Sequence, residues 1–354
     1  MPPMAPPEAL SIVDHLEKCV LRDEQGAKYP VIDVRPSDLY KQSHLKNSLS
    51  LPWDEDPYNR LFELPPKNTT PIYVVGANTA MLDEPVRLLT SRGWQIVHTI
   101  IWAADTPSES LRPFIENGHH IEGGCRYTMV CQPLRFLSSH IEAIEAALCE
   151  RAGGEAVKTW RALDIGCGSG RDMAFLALRG IAASLARGWD VTGIDSVPGC
   201  VSRCLQFAAR LGISDRMRAV RGRFIDTDPS GNDGAPALPG EVYMHLRTDH
   251  GTHPFTTKSK YDLVLLVRFL NRESFDLIDH HIAPGGFLLI STFVEGPGLP
   301  EYSRPPPGSC NRLQLGELRR FWHDRKGYSV VADIVELLDD NRPINSFLAQ
   351  KPCI

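Results

Sequence analysis

Short apolar runs alternate with amphipathic stretches along most of the chain, and the first third contains one such series. Its predicted elements are strands at 30–35, 71–75 and 95–101 and helices at 37–42 and 83–92. Strands that alternate with helices favour parallel pairing, so this series predicts a small parallel α/β domain over residues 8–103. Residues 1–7 are rich in proline and are expected to form a disordered tail.

A second, longer series of the same kind occupies residues 131–354. Its predicted strands are a run ending at Leu163 and the segments 189–195, 217–220, 261–267, 287–293, 328–338 and 345–350. Its predicted helices are 138–150, 171–178, 201–211 with Leu205 inward, 275–282 and 313–321. The segment 104–130 mixes Pro, Gly, Ser and charged residues and is predicted to link the two series.

A glycine-rich stretch joins the first strand of the second series to its first helix. It reads Asp164-Ile165-Gly166-Cys167-Gly168-Ser169-Gly170. Glycine suits such a turn because a Cβ would keep backbone N–H groups and the helix N-terminus away from a ligand. A dinucleotide-binding turn wants a small residue at position 171, which is Arg here, so that interpretation is disfavoured.

This turn resembles motif I of the class I S-adenosylmethionine (SAM) methyltransferases. The resemblance implies that SAM is the cofactor and that Asp164, Ile165, Gly166, Gly168 and Gly170 hold its methionine part. The next predicted strand ends on an acid, Asp195, followed by Ser196. In the family such an acid accepts both ribose hydroxyls, a role that suits a carboxylate because charge-assisted hydrogen bonds are strong.

Two further candidate cofactor contacts follow along the chain. Phe224 comes shortly after the third strand and either stacks on adenine or packs in the core. Arg268 comes directly after strand 261–267, at the sheet edge where open α/β folds bind ligands. The segment 181–188 is extra relative to the family pattern, and it either extends the preceding helix or forms a loop.

The same half of the chain is similar to methyltransferases of the tellurite-resistance type. The similarity covers about residues 130–354 and rests on Q-P-L-R-F-L at 132–137, R-F-L-N-R at 268–272 and P-G-G-F-L-L at 284–289. It implies a Rossmann-like, seven-stranded sheet with a C-terminal antiparallel hairpin. It also suggests that helix 138–150 is a lid over the cofactor, although the helix could equally be a plain cover for the sheet.

The first domain resembles a rhodanese domain. The resemblance rests on D-V-R-P-x-x-x-Y-x-x-x-H-L-x-x-S-x-x-L-P from Asp33 to Pro52 and on the strand and helix at 71–92. A rhodanese needs a cysteine nucleophile at about Gly76, but no cysteine occurs between Cys19 and Cys125. The domain is therefore predicted to lack sulfurtransferase activity and to serve in packing, regulation or the binding of a protein partner.

Composition limits which partners the chain is expected to bind and the compartment in which it is expected to lie. The net charge of −5 over 354 residues argues against nucleic acid as a partner, although a local cluster of arginines leaves RNA open. The nine cysteines form no C-x-x-C pair, and no metal site is predicted. With no apolar run long enough for a membrane helix and no secretory signal, the expected location is the cytoplasm, with the nucleus left open.

The sequence identifies no catalytic residue. A small, soft anionic acceptor such as a thiolate or a selenium or tellurium oxyanion needs no strong general base. A hydroxyl or amine acceptor would need one, and Asp172, Asp226 and His245 are weak candidates. Three hypotheses follow: a small-molecule methyltransferase, a SAM-binding scaffold without activity, and an RNA or protein methyltransferase.

Overall fold

The computed structural model divides the chain into two compact units, Met1–Gln132 and Pro133–Ile354. The residues it describes are 9–15, 29–67, 69–116, 121–123, 128–153, 159–182, 188–222, 244–248, 251–255, 260–302, 312–338 and 340–353. Within these ranges, no helix combines the length and the apolar character needed to cross a bilayer.

The first unit is built on a parallel sheet with the strand order β1-β6-β5-β2-β4. Its elements are β1 (Ala9–Ser11), α1 (Ile12–His15), β2 (Val31–Asp33), α2 (Ser37–Gln42), β3 (His44–Leu45), β4 (Leu49–Ser50), β5 (Ile72–Gly76), α3 (Thr79–Ser91), β6 (Ile96–Ile101), α4 (Ser108–Glu116) and β7 (Ile121–Glu122), with a 3₁₀ helix at Pro57–Glu63. Successive side chains of β5 belong to two different apolar clusters: Tyr73 and Val75 to one, Ile72 and Val74 to the other. The predicted small parallel α/β domain is confirmed.

The segment 104–130, interpreted above as a linker, contributes to the first unit. Leu111 of α4 is buried in one of the two apolar clusters of the sheet. The short strand β7 pairs antiparallel with β3 through His44 and Leu45. Two elements of this segment therefore belong to the folded body of the unit.

The second unit is built on a larger sheet with the order β10-β9-β8-β13-β14-β17-β16, and β15 pairs with β14. Its elements are α5 (Arg135–Arg151), β8 (Thr159–Ile165), α6 (Arg171–Ala182), β9 (Gly188–Asp195), α7 (Pro198–Leu211), β10 (Met217–Arg221), β11 (Met244–Thr248), β12 (Gly251–Phe255), β13 (Tyr261–Val267), α8 (Phe275–His281), β14 (Ile282–Glu295), β15 (Leu313–Gln314), β16 (Ser329–Leu337) and β17 (Pro343–Gln350), with a 3₁₀ helix at Arg272–Ser274 and a π-helical turn at Arg319–Arg325.

The strands of the second sheet are parallel except at its end, where β17 runs antiparallel to both β14 and β16. Numbered along this unit, without β11, β12 and β15, the order is 3-2-1-4-5-7-6. The predicted Rossmann-like sheet with a closing antiparallel hairpin is confirmed. Because β8, β9 and β13 are parallel neighbours, their carboxyl ends share one edge.

Two local predictions differ from the structure. The predicted helix 313–321 begins instead as β15, which pairs with Val294 and Glu295, and Gly316 at φ +75° separates it from the π-helical turn. This turn buries Trp322 completely, which accounts for the helical spacing of its apolar residues. In α7, Leu205 was expected inward but is exposed, and Cys204, Phe207 and Ala208 occupy the buried face.

Helix α6 is longer than the predicted 171–178. It continues to Ala182, so the first two residues of the extra segment 181–188 are helical, and Gly188 already belongs to β9. Residues 183–187 lie outside the described part of the chain.

Candidate active site

The glycine turn lies at the carboxyl edge of the second sheet, between β8 and α6. The amide N–H groups of Gly166 and Cys167 donate to the carbonyl oxygen of Ile194, at 2.8 and 3.1 Å, which ties the start of the turn to β9. Gly166, Gly168 and Gly170 have φ values of +77°, +56° and +82°. This left-handed conformation is costly for residues with a Cβ, which explains glycine at alternate positions.

The three glycines differ in what surrounds them. A Cβ on Gly166 would lie 2.7 Å from the ring of Phe269, and one on Gly170 would lie 2.5 Å from Cε of Met217. A Cβ on Gly168 would have nothing within 4 Å. The outer glycines therefore allow close packing, whereas the middle glycine borders open space in which a ligand could approach the backbone.

Asp195 fixes this turn from the neighbouring strand. Its Oδ2 accepts a hydrogen bond from the Gly168 amide at 2.9 Å, and its Oδ1 accepts one from the Val197 amide at 2.8 Å. The carboxylate is half-buried, and each oxygen retains a lone pair for a further donor. Ser196, beside it, is exposed. The predicted acid therefore lies next to the glycine turn, with capacity for two hydroxyl donors.

Asp164 lies beneath the turn. Its side chain is 2% exposed, and Oδ1 has no hydrogen-bond partner. Burial, together with the nearby carboxylates of Asp172 and Asp195, raises the pKa of Asp164 well above its ordinary value. Ile165, which follows, is buried in the apolar core, so only its backbone could contact a ligand. An unpartnered, buried carboxyl oxygen next to the turn is a point at which a ligand donor would be favoured.

Arg268 follows β13 on the same sheet edge. Its backbone adopts φ +54°, and its amide donates to the carbonyl oxygen of Ser291 at 2.7 Å. The side chain is exposed overall, yet desolvation of its guanidinium, followed by repulsion from Arg171 and Arg342, lowers the pKa of Arg268. Within the described part of the chain, neither the Arg268 nor the Arg171 guanidinium forms an ion pair, whereas Arg342 pairs with Asp340 at 2.7 Å.

Asp172, a weak candidate for a general base, makes a contact that sequence reasoning missed. Its Oδ1 accepts a hydrogen bond from the backbone amide of Leu134 at 2.6 Å. Burial raises the pKa of Asp172, although the Leu134 amide and the positive charges of Arg171 and Arg268 act in the opposite direction. No sequence signal could have identified this contact, because its donor is a backbone amide 38 residues away.

The remaining candidates are not located by the structure. Phe224 and Asp226 lie outside the described residues, and so does the side chain of His245 in β11. Among the residues that are described, no group of three or more His, Cys, Asp or Glu side chains could hold a metal ion.

The first unit contains the residues of the rhodanese resemblance in structural roles. Asp33 and Arg35 are both buried and form an ion pair at 2.7 Å, and Arg35 also donates to the carbonyl oxygen of Ser43. His44 hydrogen-bonds the carbonyl oxygen of Tyr40 through Nδ1 at 2.8 Å. At Gly76, a Cβ would lie 2.6 Å from Cγ of Leu82, so this side chain fills the space of the expected nucleophile.

Comparisons with known proteins agree with this division. The rhodanese-like domain family matches residues 18–101. An uncharacterized protein of Schizosaccharomyces pombe, UNK4.09, is 28% identical over 350 residues, which is 95% of this chain and 96% of that protein. The alignment therefore spans both units.

Solved structures match the chain at lower similarity. TehB from Haemophilus influenzae is 18% identical, with a TM-score of 0.35 over 58% of this chain and 62% of TehB, so less than two thirds of TehB is covered. A SAM-dependent methyltransferase from Geobacter sulfurreducens, in complex with S-adenosyl-L-homocysteine, is 17% identical, with a TM-score of 0.33 over 59% of this chain and 90% of that protein. On its strand order and the family match, the chain combines a rhodanese-like domain with a Rossmann-like domain of the class I methyltransferase fold.

Proposed function

We propose that the second unit binds SAM at the glycine turn and transfers its methyl group to a small anionic acceptor. The observation that carries the proposal is the convergence of three features at one sheet edge: the open side of Gly168, the carboxylate of Asp195 and the unpartnered Oδ1 of Asp164. Gly168 and Asp164 suit the amino-acid part of SAM, and Asp195 suits its ribose.

The residues present fit such a donor. The backbone beside Gly168 can approach the methionine part closely because no side chain intervenes. The Asp195 oxygens, already oriented by the Gly168 and Val197 amides, can accept the two ribose hydroxyls. Bound SAM would supply a methyl group on a sulfonium, whose sulfur leaves as a neutral thioether when the acceptor bonds the methyl carbon, so the protein's task is to align the partners and exclude water.

The charge beside the donor site favours an anionic acceptor. Arg171 and Arg342 lie close enough to Arg268 for their positive charges to lower its pKa. Of these three arginines, Arg171 and Arg268 form no ion pair in the described part of the chain, whereas Arg342 pairs with Asp340. Unpaired guanidinium groups attract carboxylates, thiolates and oxyanions. An acceptor that is already ionised attacks through its own electron pair and needs no general base.

The first test is binding of SAM to the full chain by calorimetry. Asp195→Ala removes the proposed ribose contact and should weaken SAM affinity about 100-fold, since charge-assisted hydrogen bonds are lost. Asp190→Ala, at an exposed position on the same strand, is the matched control and should bind like the wild type. Unchanged affinity in Asp195→Ala would contradict the ribose assignment.

The second test separates an enzyme from a SAM-binding scaffold. Labelled SAM would be incubated with the protein and a series of small thiols, selenite, tellurite and a cell extract. Transfer of label to a small anion supports the proposal, whereas transfer to RNA or protein supports the third hypothesis. Bound SAM without transfer to any fraction supports the scaffold.

We also infer that the first unit binds a protein partner and performs no sulfur transfer, which the Leu82 side chain beside Gly76 supports. A cytoplasmic location is part of the proposal. It is supported by Cys167, Cys200, Cys204 and Cys353, which the structure describes as thiols outside any disulfide.

A further inference from the structure

Helix α5 is attached to the second unit along its body. Its buried face contains Phe136, Leu137, Ile141, Ile144 and Leu148. Glu145 forms an ion pair with Arg179 of α6 at 2.6 Å and accepts a hydrogen bond from Nε1 of Trp189 at 2.9 Å. At its C-terminus, Arg151 pairs with Asp262. The first turn is thus held by the burial of Phe136 and Leu137, and the rest of the helix also has the charged contacts of Glu145 and Arg151.

The two residues just before α5 have a contact of a different kind. Pro133 has no amide hydrogen, and Leu134, at the N-cap position, forms no side-chain cap. The amide of Leu134 donates instead to Oδ1 of Asp172 at 2.6 Å, a short distance for a bond to a carboxylate. This hydrogen bond connects the segment Pro133–Leu134 to α6.

Asp172 is well placed to join the helix start to the glycine turn. It is the second residue of α6 and follows Gly170 by two positions, so its partner Leu134 lies at the rim of the turn. The carboxylate also faces the positive charges of Arg171 and Arg268 on the acceptor side. A single acid therefore contacts the segment that borders the donor site and faces the cations beside it.

We propose that Asp172 is a positioning residue that holds Pro133–Leu134 against the rim of the glycine turn and thereby slows the release of bound SAM. The inference rests on the proposed donor site at this turn. It assigns Asp172 a role through hydrogen-bond acceptance by Oδ1, and this role differs from that of a general base, which would require the carboxylate to take up a proton from the acceptor.

The test compares three variants of the full chain by stopped-flow release of SAM. Asp172→Ala removes the acceptor and should accelerate release about tenfold, the effect of one lost charge-assisted hydrogen bond. Asp172→Asn keeps an oxygen acceptor for the Leu134 amide and should restore release to within about twofold of the wild type. Glu145→Gln weakens the contacts of α5 with Arg179 and Trp189, away from Leu134, and should leave the release rate unchanged.

The outcomes separate the two proposals. If wild-type protein binds SAM but Asp172→Ala releases it at the wild-type rate, the positioning role is wrong and the donor site stands. Equal acceleration in Asp172→Asn and Asp172→Ala also overturns the role, because it would show that charge, and not the bond to Leu134, matters. If the wild type does not bind SAM, both proposals fail.

A second measurement decides the case if Asp172→Ala does not fold. Hydrogen exchange of the wild type would be followed at the amides of 134–140 with and without SAM. Slower exchange on addition of SAM supports the role, since a held helix start opens less often. Exchange that SAM does not change overturns it.

Discussion

At the scale of single residues, the three glycines of the turn share a backbone conformation but differ in their surroundings. Gly166 and Gly170 lie against side chains, whereas Gly168 faces open space. The same left-handed conformation in open space occurs at Gly212, which ends helix α7 away from the turn, with φ +68°. Substitutions at Gly168 and Gly212 can therefore be compared, which separates the effect of backbone strain from an effect on a bound ligand.

We predict that Gly168→Ala and Gly212→Ala both lower the free energy of unfolding by about 1–2 kcal/mol, the cost of a left-handed residue with a Cβ. Only Gly168→Ala should weaken SAM binding, because its methyl group would occupy the space that the donor needs. Calorimetric titration and denaturant unfolding of both variants check this. Equal SAM affinities in the two variants would exclude a donor at Gly168.

Asp164 gives a prediction for pH. Its pKa is raised in the folded state, so between the ordinary value of 3.8 and the raised value the folded chain holds a proton that the unfolded chain releases. Its contribution to stability is therefore lost as pH rises through this window. The side-chain amide in Asp164→Asn cannot ionise, so the stability of this variant does not fall with pH for this reason.

The stability of the wild type relative to Asp164→Asn should fall as the pH is raised from about 4 to about 8, by about 1.4 kcal/mol for each unit of pKa shift. Denaturant unfolding of both proteins at a series of pH values measures the difference. A difference that is constant with pH would show that the pKa of Asp164 is unshifted, and one that grows in favour of the wild type would show that it is lowered; either result contradicts the prediction.

At the scale of elements, the junction of β5 and α3 supports the prediction that the first unit performs no sulfur transfer. The junction has glycine where a rhodanese has its nucleophile, and Leu82 of α3 packs into the space of the missing Cβ. Asn78 caps α3 by accepting a hydrogen bond from the Met81 amide at 2.9 Å, which fixes the helix start. The start of α3 thus packs against the end of β5 at the position where a rhodanese has its nucleophile.

We predict that the wild type produces no thiocyanate from thiosulfate and cyanide, and that Gly76→Cys also produces none, because the new Cβ would lie 2.6 Å from Leu82. Melting of each variant, followed by circular dichroism, controls for loss of fold. A double variant with Leu82→Ala provides room for the side chain and tests whether space is the only obstacle. Activity in Gly76→Cys alone would refute the steric argument.

At the scale of the whole molecule, each unit has its own apolar core. The first unit also contains a buried ion pair between Asp33 and Arg35, and the Arg35 guanidinium stacks on Trp102, a member of one of its two apolar clusters, at 4.3 Å. Removing one partner of a buried pair leaves an uncompensated charge, which is costly. The two cores therefore allow one unit to be weakened selectively.

We predict that Asp33→Ala destabilises the first unit by about 3–5 kcal/mol and leaves the affinity of the full chain for SAM unchanged. Asp38→Ala, on an exposed side chain of the same unit, should change neither property. Unfolding followed by hydrogen exchange and calorimetric titration measure the two effects. A large loss of SAM affinity in Asp33→Ala would indicate that the donor site depends on the first unit.

Much of the fold could be predicted from local patterns. Alternating strands and helices, the glycine turn and the closing hairpin depend on residues close in sequence, and they appear in the structure. The exceptions have physical causes. At Leu313 a pairing with Val294, 19 residues earlier in the chain, replaces the expected helix. Leu205 has the spacing of a buried residue, but the packing of α7 leaves it exposed.

The candidate site divides in the same way. The sequence by itself determined that three glycines follow a strand, that an acid ends the next strand, and that the first domain lacks a nucleophilic cysteine, because these depend on residue identity and spacing. Only the tertiary structure decided that Asp195 binds the Gly168 amide, that Asp164 keeps an unpartnered oxygen, and that Asp172 holds Leu134. Such contacts join backbone and side-chain atoms far apart in sequence, and their geometry exists only once the strands have paired.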